Sequence, residues 1–75
     1  MDIIPPQNLE AEASTLGCVL LDKSVLDDVL ELLVPEDFYD SRHKVIFSAI
    51  VELYKKSVAI DYLTVNDYLT KNKLS

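Results

Sequence analysis

One uninterrupted apolar stretch, Ser41 to Lys56 (SRHKVIFSAIVELYKK), limits what this chain can fold into more than any other feature. Val45, Ile46, Phe47, Ala49, Ile50, Val51, Leu53 and Tyr54 occur in it with no Gly or Pro between them. At about 100° per residue these side chains cover about two-thirds of a helical circumference. Lys44, Ser48, Glu52 and Lys55 are left on one narrow polar strip. A helix so widely apolar must be packed on several sides. It is also too short, and too charged at its ends, to span a bilayer that needs about 20 apolar residues. The stretch is therefore predicted to be a central helix covered by the rest of the chain.

The remaining segments read as that cover. In MDIIPPQ, Pro5 and Pro6 exclude helix through Ile4 and favour an extended lead-in, with Ile3 and Ile4 as a strap or a frayed end. Asn8 is a good N-cap for a helix over Leu9 to Leu21, with Glu10 and Glu12 in the first turn, where the helix dipole favours acids. Leu9, Ala13, Leu16 and Leu20 form a stripe expected to face the core. Opposite lie Ala11, Ser14, Thr15 and Cys18, all small, and Gly17 sits inside the helix at a cost of about 1 kcal/mol relative to Ala. Three readings of the small face stand: it makes room for another backbone, other parts of the same domain cover it, or Ala and Ser are merely tolerated on the surface. Ser24 with Asp27 resembles a capping box opening a second helix, whose apolar residues are Val25, Leu26, Val29, Leu30 and Leu33. Pro35 ends it. PEDFYD (Pro35 to Asp40) is then a tight connector, with Phe38 as a plug into the core and Tyr39 as its partly exposed companion. Asp40 or Ser41 caps the central helix, SVAID (Ser57 to Asp61) is a short extended link, and Thr64 with Asp67 opens a last helix from Val65 to about Asn72. The expected fold is all-α: a small orthogonal bundle of about four helices around the one at 41–56, forming a single domain over 1–75.

Charge and chemistry narrow the function. Thirteen acidic against seven basic residues give a net charge of −6, the wrong sign for nucleic-acid backbones or anionic membranes. The single Cys18 forms no internal disulfide, which fits a reducing, cytoplasmic setting. One His and one Cys without clustered spacing offer no metal site, and Gly17, the only glycine, makes no phosphate-binding loop. Nothing in the spacing ties Cys18 or a serine to His43 as nucleophile and base; His43 reads as a packing or surface histidine. No catalytic residue, cofactor or metal is expected. A chain of this size buries only about 60% of its unfolded surface, so a partner subunit is the natural source of extra stability.

Four segments in order carry a resemblance: PPQNLEAEASTLGCVLLD (Pro5 to Asp22), PEDFY (Pro35 to Tyr39), RHKVIFSAIVELY (Arg42 to Tyr54) and IDYLTVNDYL (Ile60 to Leu69). Together they resemble the N-terminal domain of bacterial replicative DNA helicases of the DnaB family. The resemblance implies a non-catalytic domain at the front of a hexameric, ATP-driven helicase. In that family such domains pair into a collar that assembles the ring and contacts the C-terminal domain of primase. It also implies that the ATPase motor, and the helical hairpin after the globular part, lie beyond these residues, so the domain is truncated at its C-terminal end. The outer face of the first helix, with Glu10, Ala11, Ser14 and Cys18, is the expected partner surface, for primase or for another copy of the domain. Direct DNA binding and a passive spacer between motor domains are the alternatives.

Overall fold

The structure is a computed structural model and describes residues 8–73. The lead-in over residues 1–7, with its strap, lies outside the described residues. Among the described residues the chain forms four α-helices and no strand: α1 (Leu9–Leu21), α2 (Lys23–Leu32), α3 (Ser41–Lys55) and α4 (Tyr62–Lys71). A single 3-10 turn, Pro35–Asp37, lies in the connector between α2 and α3.

α3 is the hub. α1, the connector and α4 all pack on it, and α2 packs on α1. Phe47 and Ile50 are fully buried, Ala49 and Leu53 nearly so, while Val45, Ile46 and Val51 are half-buried. Leu16, Val19, Leu26, Leu33, Phe38 and Val65 complete the core around them. The prediction of a central helix wrapped by its neighbours holds. Tyr54 departs from it: the ring stays half-exposed beside a cleft described below.

Side-chain caps fix the helix starts. Asn8 Oδ1 accepts from the Ala11 amide at 2.9 Å and opens α1. Asp40 opens α3, accepting from the Arg42 amide at 2.8 Å while Arg42 Nη2 reaches its other oxygen at 2.7 Å. Two starts differ from expectation. α2 is capped by Asp22, whose Oδ1 accepts from the Ser24 amide at 2.9 Å, so Ser24 lies inside the helix. α4 begins at Tyr62, because Asp61 and Thr64 form a reciprocal box: the Thr64 amide donates to Asp61 Oδ1 at 2.9 Å, and the Asp61 amide to Thr64 Oγ1 at 3.0 Å. Thr64 closes a cap here where it was expected to begin one.

α2 ends where Pro35 requires, with Leu33 already extended. α3 ends differently from the predicted extended link. Ser57 adopts a left-handed backbone (φ 59), and the Val58 amide reaches back to the Leu53 carbonyl at 3.0 Å. This is the helix-terminating geometry that glycine usually supplies. No described helix is long and apolar enough to cross a membrane.

Candidate protein-interaction surface

The face that α1 turns outward follows from the face it buries. The expected inward stripe was Leu9, Ala13, Leu16 and Leu20. The buried residues are Glu12, Leu16 and Val19, with Ala11, Thr15 and Leu20 half-buried. Leu9 is 41% exposed and Ala13 is exposed. The helix is rolled so that a carboxylate, not a leucine, heads the inner stripe.

Glu12 accounts for the roll. Its side chain is fully buried. One oxygen accepts from the Tyr39 amide; the other accepts from the Asp40 amide at 3.2 Å and lies 2.8 Å from His43 Nδ1. An ionised carboxylate only accepts, so Nδ1 carries the proton that His43 donates. Burial alone would push the Glu12 carboxyl up. The hydrogen bonds from the Tyr39 amide, His43 and the Asp40 amide, with the attraction of His43, outweigh it and hold the group below its ordinary value of 4.5. Next to it, hydrogen bonds from the Arg42 side chain and amide hold the Asp40 carboxyl well below the usual range. Read from sequence, Glu12 was a dipole residue like Glu10. Its position four and seven residues before Leu16 and Val19 was the available signal, and the donors that select it lie 27 to 31 residues away. His43 is a packing histidine, as expected: its side chain is 13% exposed and edge-on to Phe38.

With Glu12 inside, the outward surface is small and open. Of the predicted partner residues, Glu10, Ser14 and Cys18 are exposed. Ala11 is not: it is half-buried and packs against the core, at the border of that face. Ala13 and Leu21, missed from sequence, belong to the outer face, and Leu21 is 90% exposed. A Cβ added at Gly17 would meet nothing within 4 Å. None of the described neighbours therefore requires a glycine there.

A cleft of about 750 Å³ lies where the α1–α2 corner meets the end of α3 and the 57–61 link, with Leu20, Leu21, Leu26, Tyr54, Val58 and Ile60 in its walls. Tyr62 and Leu63, at the start of α4, are 72% and 75% exposed. Positive charge is mostly compensated locally. Lys23, Lys55 and Lys71 pair with Asp27, Glu52 and Asp67 on their own helices, and Arg42 pairs with Asp40. Among the described residues no cluster of His, Cys, Asp and Glu could hold a metal ion.

Comparison with known proteins decides the family. Residues 4–75 match the family described as "DnaB-like helicase N terminal domain". The chain belongs to that family. It is 43% identical over 68 residues to the replicative DNA helicase DnaB of Rhodothermus marinus, which covers 91% of this chain and 7% of that protein. It is 40% identical over 70 residues to the DnaB of Geobacillus stearothermophilus, covering 93% and 15%. The crystal structure of the N-terminal domain of DnaB helicase from Mycobacterium tuberculosis superposes with a TM-score of 0.86 at 44% identity, over 95% of this chain and 49% of that one. The DnaB-like match covers the all-α fold around α3. The chain spans a small fraction, 7% and 15%, of these two curated relatives.

Proposed function

We propose that these residues form a single non-catalytic protein-interaction domain of a cytoplasmic replicative helicase, with a role in collar assembly and in contact with the C-terminal domain of primase. The proposed surface is the outer face of α1: Glu10, Ser14 and Cys18 at its centre, Ala11 at its border, and Ala13, Gly17 and Leu21 added by the fold. The observation that carries this reading is the open ground around Gly17. A mid-helix glycine costs about 1 kcal/mol and here relieves no crowding among the described residues, which fits a helix that admits another backbone at close range. Local pairing of four cations, together with the net charge of −6, supports a protein partner over direct contact with DNA. Glu10 at the rim suits a basic group, worth about 1 kcal/mol while exposed. On this reading ATP hydrolysis and unwinding belong to parts of the helicase beyond the matched residues.

Titration calorimetry of the chain against the primase C-terminal domain, beside its solution mass over a range of concentrations, tests this. Binding or self-association that Glu10→Lys weakens about fivefold, with unchanged circular dichroism, is the expected result. No binding to primase and a constant monomer mass would refute the interaction role and leave a spacer. Tight binding to DNA that falls steeply with salt would replace it with a nucleic-acid role. Melting of the domain by Glu10→Lys would refute the assignment of Glu10 to the surface.

A further inference from the structure

Charge is divided along this chain. Over residues 8–40 nine side chains are acidic and one, Lys23, is basic; over residues 41–73 six are basic and three acidic. α2 packs on α1 and α4 on α3, so the two charges occupy different flanks of the domain. Each flank also leaves apolar surface open. On α2, Leu32 is 60% exposed, and the exposed Asp28 neighbours both Glu31 and Leu32 at helical spacings of three and four. Beyond the helix the backbone is extended, so Leu33 turns into the core and Val34, 52% exposed, turns out. Asp28 and Glu31 take part in no ion pair among the described residues, and Lys23 is held by Asp27 at 3.3 Å. The result is a leucine knob bordered by two uncompensated carboxylates. On the other flank a cleft of about 260 Å³ opens between the end of α3 and α4. Leu53, Val58 and Tyr68 line it, with Lys56 and Lys71 beside them. Lys56 lies 5.5 Å over the Tyr68 ring and meets no carboxylate among the described residues, while Lys71 pairs with Asp67 at 3.1 Å. Leu32 is not among the residues lining this cleft, so the chain does not fill it with its own knob. We propose that a second copy does: Leu32 of one molecule enters the cleft of the next, with Asp28 and Glu31 meeting Lys56 and Lys71. The two surfaces are different parts of the chain, so the contact is head-to-tail. It leaves a knob free at one end and a cleft at the other, and continues until a ring closes. The net charge of −6 on each copy does not forbid this. At about 0.15 M salt, charges more than about 8 Å apart are screened, and the local match of opposite flanks prevails. The contact uses none of the outer face of α1 and stands apart from the role proposed for that face.

Sedimentation equilibrium over about 10 μM to 1 mM chain tests this. The average mass of the wild type is expected to rise past that of two chains. Leu32→Ser removes the knob, and Lys56→Glu reverses the charge at the cleft. Both positions are exposed, and each variant is expected to weaken association about tenfold with unchanged circular dichroism. An equimolar mixture of the two variants decides the arrangement. The knob of the Lys56→Glu copy still fits the cleft of the Leu32→Ser copy, while the two remaining ends no longer match. The mixture is therefore expected to form dimers and stop there. Should either variant lose its helical signal, Glu31→Gln or Lys56→Gln takes its place. A wild type that stays monomeric, or that stops at dimers, would overturn the proposal. So would variants that associate like the wild type, or a mixture that stays monomeric. Association lost in Glu10→Lys but kept in Leu32→Ser would also overturn it, and would assign self-contact to the outer face of α1 instead.

Discussion

Replacing Gly17 by alanine separates the stability of this domain from its proposed use. Gly17 lies mid-way along α1, and an added Cβ would find open space. The substitution therefore removes the backbone-entropy penalty of a helical glycine without a packing cost. The expected gain is about 0.8–1 kcal/mol. For a domain of this length that raises the melting temperature by about 3–8 °C, readable by circular dichroism at 222 nm. The same methyl group stands on the face assigned to the partner. If a second backbone approaches there, overpacking of about 1–3 kcal/mol should weaken association by about tenfold, in the calorimetric or mass measurements described above. A lower melting temperature for Gly17→Ala would refute the open-space argument. A higher one with unchanged association would show that the glycine serves no close approach, and the small face of α1 would lose its assigned role.

Ile50, fully buried in α3, touches the core on all sides, so Ile50→Ala should cost about 2–5 kcal/mol by urea denaturation, and Ile50→Asp should leave the chain unfolded by circular dichroism. Acid should also destabilise the domain. Glu12 is held below its ordinary 4.5, so its contribution is complete well above that pH and is lost as pH falls through the lower folded-state value; Asp22 and Asp40, held below 3.8, act in the same direction. Urea midpoints from pH 7 to 3 should fall in the wild type and fall less steeply in Glu12→Gln; equal slopes would contradict the bonding assigned to Glu12. At the end of α3, Ser57→Gly should stabilise by about 1 kcal/mol, because the left-handed backbone at φ 59 suits glycine better than serine; a loss of stability in thermal melts would refute that.

Most of the architecture was legible because it rests on local chemistry. The apolar breadth of 41–56 required a central helix, Pro35 required an end to α2, and the aromatic at 38 had to go somewhere dry. Helix starts were less legible where two capping residues compete. Asp22 and Ser24, or Asp61 and Thr64, present similar oxygens at similar spacing, and only the backbone angles of the folded chain choose between them. The face of α1 was misjudged for a different reason. A period count assigns acids to water, but the amides of Tyr39 and Asp40 need an acceptor, and Glu12 supplies it from across the fold. That long-range demand rolled Ala13 outward and Val19 inward, and moved Ala11 off the candidate surface. The exposed positions of Glu10, Ser14 and Cys18 survived because they lie on the far side of the helix under either roll.

The span between Glu12 and its donors also sets an order of assembly. During synthesis α1 can turn back on α2 through near-neighbour contacts, while the acceptor at residue 12 waits for amides made some 27 residues later. Closing so long a loop costs entropy before it returns any bonding. The junction of α1 with the start of α3 should therefore be among the last parts of a nascent chain to settle.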